Sequence, residues 1–375
     1  AFPGGILADE ILTPGKGQLR ALFVTGGNPL ITMANAQRLR RAFRKLELLV
    51  TLDIQPSETG ALAHYMLPCT SPLERPDLPF IFPLMLGLQA KPYLQATDAI
   101  VTADGEQRDE ATIYLDLARA SGVNLFGSAI AQRLLQAARW WHSRRQAPGR
   151  QPALPQRALL SLLLRLTGQG SYRKLLRHRH GILRTPHQPG SFLGRRVYTA
   201  DGRLDLAPAP LLEQARRLEL AFHSELNSQH QLRLITKRHV KTHNSWTHNY
   251  EAFVDGSRHT NYLYMHPADA ERLGLAEKDL ADVSSKTATV RLPVRLLPDL
   301  MPGTVALPHG WGHQQSGQQV ANKTKGVNVN ILAADGPDQI EPLSGMARLT
   351  GIPVEVRPAD GPQAHTWSGM EEGRN

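Results

Sequence analysis

Residues 20–53 read RALFVTGGNPLITMANAQRLRRAFRKLELLVTLD, and this stretch decides the fold of the first part of the chain. Apolar and β-branched residues fill Arg20 to Thr25 and stop at Gly26-Gly27-Asn28-Pro29, a string of turn formers. The spacing then predicts a helix from about Ala34 to Lys45, and a second apolar run, Leu46 to Leu52, ends at Asp53. Strand, helix and strand in this order make a βαβ unit. Its Gly-rich loop and Asp53 both fall at carboxyl ends of strands, the edge where open parallel sheets bind ligands. Glycine there lets a phosphate approach the backbone, and Asp53 can accept hydrogen bonds from a ribose or a base. The plain alternative is a tight turn, which needs only one such glycine, since GGNP is not GxGxxG.

Outward from this unit the texture changes twice. Prolines at 72, 76, 79, 83 and 92 make Ser71 to Pro92 an irregular extended segment, and Ala111 to Ala120 reads as a helix closed by Gly122. Loop-rich sequence returns from Gly181 to Ala209, and a domain boundary falls at about Glu213 to Leu218. Beyond it come short strands, Leu232 to Thr236, Leu280 to Ser284, Thr289 to Leu296 and Thr304 to Leu307, with a short helix Pro267 to Leu273 closed by Gly274. That pattern predicts a closed or partly closed β structure.

The chain has 375 residues, 41% hydrophobic and 20% charged, enough for two or three domains with real cores. The longest apolar run, Ala158 to Leu166, is broken by Ser161 and Arg165 and falls short of the roughly 20 residues that span a bilayer. A single cysteine, Cys69, excludes an internal disulfide and an iron-sulfur cluster held by this stretch alone. The net charge of +10 is local: residues 129–196 hold fourteen Arg and Lys and no Asp or Glu. A basic stretch invites a nucleic-acid reading, but zinc-finger spacing, aromatic-interleaved RNA motifs and a helix-turn-helix signature are all missing. The plainer expectation is amphipathic helices with solvated Arg faces, Ile130, Leu134, Leu135, Ala138 and Trp141 recurring near helical spacing.

Polar side chains concentrate in three places of the β part: Thr236-Lys237-Arg238-His239 with Thr242 to Asn249, Pro308-His309-Gly310-Trp311-Gly312-His313, and Val327-Asn328-Val329-Asn330, which would place two amides on one strand face. No HExxH, and no His pair with Cys, accompanies the histidines, so a zinc site is the weaker reading. Histidines that only cap loops are the structural alternative; a large polar ligand held by many donors fits best.

Taken together, these motifs resemble the molybdopterin-guanine-dinucleotide oxidoreductases of the dimethyl sulfoxide reductase family, which includes formate dehydrogenases and nitrate reductases. In that family a GxNP loop after a strand precedes a strand ending in Asp, then Glu-Thr and a Leu-Pro segment leading to Leu-Glu. Here these stand as Gly26 to Pro29, Asp53, Glu58-Thr59, Leu67-Pro68 and Leu73-Glu74, with Ala63-His64-Tyr65-Met66 replacing the usual Ala-Asp. His266-Pro267-Ala268-Asp269-Ala270 with Leu273-Gly274, and Met301-Pro302-Gly303-Thr304, are similar to structural marks of the family's C-terminal barrel.

The fold that the resemblance implies is α/β followed by all-β. A partial Rossmann-like nucleotide-binding domain would span 1–128, a basic helical and loop-rich connector 129–217, a double-psi β-barrel 218–358 and a polar tail 359–375. The implied cofactor is bis-molybdopterin guanine dinucleotide with molybdenum or tungsten. Gly27, Asn28, Asp53, Glu58 and Thr59 would hold its guanosine end, and Lys237, in place of the family's Gly, with Arg238 and Lys241 would face pyrophosphate. His243, Asn244, Ser245, Trp246, Asn249, Asn328 and Asn330 would contact the pterin. His309, Trp311 and His313 would close over it, the histidines bonding to it or moving protons.

A catalytic member also needs a residue on the metal, and many carry a 4Fe-4S cluster bound by four cysteines. Neither is found here; Cys69 reads as a small buried hydrophobe. The chain therefore reads as the C-terminal half of a longer or split enzyme. Its implied partners are the N-terminal half, an iron-sulfur electron-transfer subunit and a small-molecule substrate. A scaffold that keeps the fold without the cofactor is the non-enzymatic alternative.

Overall fold

Along Thr289–Leu296, Val290, Leu292 and Val294 are buried and the residues between them are not, the period of a strand with one face on a core. The same alternation recurs in most strands of the β-barrel that this strand helps to close. The computed structural model describes residues 2–78, 93–146, 151–186, 188, 190, 197–228, 231–240, 242–255 and 259–361. Lys241, Pro79, Pro83, Pro92 and the tail beyond 361 lie outside the described residues. In chain order the strands are β1 (Ala21–Thr25), β2 (Leu48–Asp53), β3 (Tyr65–Pro68), β4 (Tyr93–Leu94), β5 (Ile182–Leu183), β6 (Leu232–Lys237), β7 (Leu263–Met265), β8 (Leu280–Ser284), β9 (Thr289–Leu296), β10 (Thr304–Pro308) and β11 (Ile352–Pro358).

The chain divides into two units, Ala1–Met66 with Ala207–Asn375, and Leu67–Leu206. In the first, β1 and β2 pair in parallel, Ala21 opposite Leu48 through Thr25 opposite Leu52, and β3 completes a sheet in the order β1-β2-β3. The helix expected over Ala34 to Lys45 runs Ala36–Phe43, because Asn35 caps it: its Oδ1 accepts from Arg38 N at 3.3 Å. Leu39, Ala42 and Phe43 of that helix pack with Ile11, Leu30 and Leu49. Six strands close a barrel in the order β10-β6-β11-β8-β9-β7, with β6/β10 and β7/β9 parallel and the other pairings antiparallel. Its core gathers Leu234, Leu263, Met265, Val283, Leu292 and Leu307.

The Pro267–Arg272 helix starts on a His266 cap, and Asp269 accepts from Gly303 N at 2.7 Å, so the two sequence marks of this region meet. One expectation here is corrected. Val327 to Asn330 is not a strand: Asn328 Oδ1 accepts from Asn330 N at 2.9 Å and opens a 3₁₀ turn, Val329–Leu332. A side-chain amide that bonds its own backbone two residues on competes with a ladder and bends the chain instead.

The second unit has the helices Glu110–Ala120, Ala129–Ser143, Gln156–Leu166 and Tyr172–Leu176 with the two-stranded antiparallel sheet β4-β5, around Leu78, Leu94, Leu164, Tyr172 and Leu175. Its limits differ from the expected divisions at 128/129 and 217/218. Residues 67–128 group with the basic helices, Thr112 Oγ1 accepting from Leu154 N at 3.1 Å and Arg139 pairing with Asp116. The Ala129–Ser143 helix is amphipathic with Arg133 solvated, as expected, and Leu135 and Ala138 are half-buried. Gln132, buried, accepts from Leu125 N at 2.7 Å, and with the Arg139–Asp116 pair it seats the polar side inward, leaving Ile130, Leu134 and Trp141 outside.

Candidate functional site

β1 ends at Thr25, and Gly26, in the left-handed region at φ 58°, donates its N–H to Leu52 O at 2.8 Å, tying the loop to the end of β2. Pro29 then starts a single helical turn, Pro29–Thr32. The Asn28 side chain turns inward from this loop. Its Nδ2 donates to Glu58 Oε2 at 2.6 Å, and its Oδ1 accepts from Thr59 Oγ1 at 2.9 Å and Thr59 N at 3.3 Å. Glu58 and Thr59 are fully buried.

From Glu58 a chain of hydrogen bonds runs through the interior. His313 Nδ1 donates to Glu58 Oε1 at 3.0 Å, and His313 Nε2 meets His248 Nδ1 at 3.1 Å. The His248 ring lies against Trp311, centroids 4.3 Å apart. Burial by itself raises the Glu58 pKa; the bond and charge of His313, with the Asn28 amide, outweigh it and hold the carboxyl below its ordinary range. Burial, with the charge of His313 next, pushes His248 down to about 3, so His248 is neutral at physiological pH.

Two more buried amides clamp the same loop. Asn328 Nδ2 donates to Leu30 O at 2.9 Å and Asn330 Nδ2 to Ile31 O at 2.7 Å. These are carbonyls at the end of the Pro29–Thr32 turn, which has no helical continuation to satisfy them.

The accessible polar groups lie at one edge of the barrel. Because β6 and β10 run parallel, with Lys237 opposite Pro308, their carboxyl ends release two loops side by side, and His309 N donates to Lys237 O at 3.1 Å. Lys237 Nζ stands 3.9 Å from the Tyr264 ring centroid. Exposed Arg238 donates Nη1 to Asn244 Oδ1 at 3.3 Å. Asn244 itself is left-handed at φ 51°. A Cβ on Gly310 would come within 2.9 Å of the Asn244 carbonyl, and one on Gly312 within 2.7 Å of Asn328 N, so both contacts need glycine. Burial, then the charge of Arg238, lowers the His309 pKa. His243 stacks edge-on to Trp246 at 5.8 Å, Trp246 O accepts from Gln55 Nε2 at 3.2 Å, and Ser245 is half-buried.

The expected site residues therefore separate by burial. Glu58, Thr59, Trp311, His313, Asn328 and Asn330 are buried, and Asn249, half-buried, accepts from Val320 N at 3.0 Å. Gly27, Asn28, Asp53, Lys237, Arg238, His243, Asn244, Ser245, Trp246 and His309 are half-buried or exposed. The structure brings the end of β2 to the barrel loops through Gln55. Neither Gln55 nor His248 stood among the candidates; His248 was legible only as one more member of the polar run Thr242 to Asn249.

A dinucleotide fits this donor set: cations at the edge, glycine-lined loops that hold close approaches, and Trp311 Nε1, a buried donor with no hydrogen-bond partner among the described residues. Among the described residues no group of three or more His, Cys, Asp or Glu is arranged to hold a metal ion.

Residues 2–120 match the family described as Molybdopterin oxidoreductase, and residues 232–353 match the Molydopterin dinucleotide binding domain. The thiosulfate reductase molybdopterin-containing subunit PhsA of Salmonella typhimurium is 23% identical over 354 residues, 92% of this chain and 45% of that protein. The probable oxidoreductase YyaE of Bacillus subtilis is 29% identical over 115 residues, 31% of this chain and 16% of that protein. Among solved structures, acetylene hydratase from Pelobacter acetylenicus superposes with a TM-score of 0.68 at 18% identity, over 95% of this chain and 46% of that one. The chain thus spans less than half the length of these relatives. With its α/β part and its barrel matched in this order, the chain belongs to the molybdopterin oxidoreductase family.

Proposed function

We propose that this chain is the cofactor-holding portion of an oxidoreductase that uses bis-molybdopterin guanine dinucleotide with molybdenum or tungsten. The observation that carries the reading is the barrel edge where Lys237, Arg238 and His309 emerge together. When bound, the cofactor supplies a metal that exchanges two electrons with a small substrate. Lys237 and Arg238 hold pyrophosphate oxygens as cations. Asp53, half-buried at the end of β2, accepts from the guanine edge, and Ser245 and Asn244 bond pterin nitrogens. The residues turned inward act at one remove: Asn28, Glu58, His313, Asn328 and Asn330 position the loops that touch the cofactor. In this reading the α/β part is Rossmann-like and the barrel is of double-psi type.

Two-electron reduction or oxidation of a small oxyanion or formate, as in nitrate reductases and formate dehydrogenases, is the activity proposed for the whole enzyme. The metal ligand and a 4Fe-4S cluster belong, in this proposal, to an N-terminal half, and electrons pass to an iron-sulfur subunit. Buried Cys69 is not part of the site.

A scaffold without cofactor is the second reading, and one observation favours it: the Asn28 amide and the Asn328 and Asn330 amides are satisfied within the protein. Metal and pterin analysis of the complete protein separates the two. One molybdenum or tungsten per chain, lowered by Asp53→Ala and Arg238→Gln, supports the first; no pterin fluorescence after denaturation supports the scaffold.

A further inference from the structure

We propose that the outward face of the Ala129–Ser143 helix is a docking surface for an anionic lipid bilayer. This inference does not rest on the cofactor reading. Ile130 is 73% exposed, Leu134 66% and Trp141 56%. Spaced by four and seven residues, they fall within about 40° of one another on a helix and form one stripe along its solvent side. An amphipathic helix normally turns such a stripe to the core; here Gln132 and Arg139 hold the opposite, polar side inward.

The chemistry at the margins of the stripe says what covers it. Arg133, Arg144 and Arg145 are exposed beside it. The Arg144 guanidinium lies 3.8 Å from the Trp140 ring centroid and that of Arg145 4.6 Å from Trp141. Residues 129–196 hold fourteen cations and no acidic residue, so no carboxylate of this segment opposes an anionic surface. A protein partner would have to answer this one-sign face with a matching acidic patch. A bilayer of acidic lipids asks for one sign, indole rings at headgroup depth and a continuous apolar stripe, and all three are present. The next helix, Gln156–Leu166, repeats the composition, with Leu162 52% and Leu166 77% exposed beside Arg165. No helix among the described residues is long and apolar enough to cross a membrane, so the proposed contact lies on the surface. The helix also falls between the two regions matched to the family and is no part of either.

The test is co-sedimentation of the full chain with vesicles of equal parts phosphatidylglycerol and phosphatidylcholine, and with phosphatidylcholine alone. The proposal expects binding to the first only, weakened by salt. The double variant Arg144→Gln/Arg145→Gln should lower the partition coefficient about 25-fold, at roughly fivefold for each cation. The variant Ile130→Ser/Leu134→Ser, whose side chains are exposed and whose charge is unchanged, should lower it about tenfold or more. Absence of binding to the anionic vesicles overturns the proposal. So does unchanged binding by Ile130→Ser/Leu134→Ser, since attraction that follows charge alone is adsorption to any polyanion, acidic protein or nucleic acid included.

Discussion

The buried polar chain and the open barrel edge are made from the same residue types, histidine, asparagine and charged groups, and they behave in opposite ways. Inside, Asn28, Glu58, His313 and His248 pass hydrogen bonds from one to the next across 255 positions of sequence between Glu58 and His313. At the edge, Lys237, Arg238 and His243 remain partly or wholly in contact with water. The comparison teaches that polarity alone does not mark a ligand contact in this protein. A buried polar group has to be satisfied internally, whereas an exposed one costs little while it waits for a ligand.

The sharpest way to break this distinction is Glu58→Ala. It leaves buried His313 and the half-buried Asn28 amide without their acceptor, and a loss of about 3–5 kcal/mol in chemical denaturation is expected. A loss below about 1 kcal/mol would mean the chain of bonds is not structural.

Acid should reveal the same interior. As pH falls through about 6.5 the unfolded chain protonates at His248, while the folded protein resists until about 3, so the stability contributed is complete above 6.5 and fades toward 3. Glu58, held below its ordinary value of 4.5, acts in the same direction, its contribution present above 4.5 and lost as pH falls through the lower folded value. Denaturation midpoints between neutral pH and pH 4 should therefore drop by an amount worth a few kcal/mol, and less steeply in His248→Phe. Equal slopes in the two proteins would remove His248 from the account.

Asn328→Ala should cost about 1–3 kcal/mol, the range for stranding a buried carbonyl, here Leu30 O. Asp would be a poor replacement because it has no donor to offer that carbonyl. The smallest stability effect belongs to the edge. Lys237→Gln and Arg238→Gln should change unfolding by no more than about 0.5 kcal/mol, yet lower cofactor content of the complete enzyme measured by metal analysis. A large loss of stability from either would erase the division between interior and edge.

Four of the six barrel strands were legible, among them Leu280–Ser284 and Thr289–Leu296, whose alternation is local; β7 and β11 were not. The Val327 to Asn330 segment was misread because its alternation of apolar and amide residues is also strand-like, and nothing local says that Asn328 closes a turn. The Ala129–Ser143 helix was legible as a helix, but the side it buries was not. Hydrophobic spacing assigns a stripe, whereas Gln132 and the Arg139–Asp116 pair decide where it points.

The βαβ opening, four of the six barrel strands, the family resemblance and the concentration of positive charge in residues 129–196 can all be read from the sequence. Only the tertiary structure decided which polar residues are spent on the protein and which face outward. Propensity and periodicity act over a few residues, but burial is set by partners such as Leu30 and Asn328, 298 positions apart. Whether an amide meets a carbonyl or water depends on the packing that brings such distant residues together.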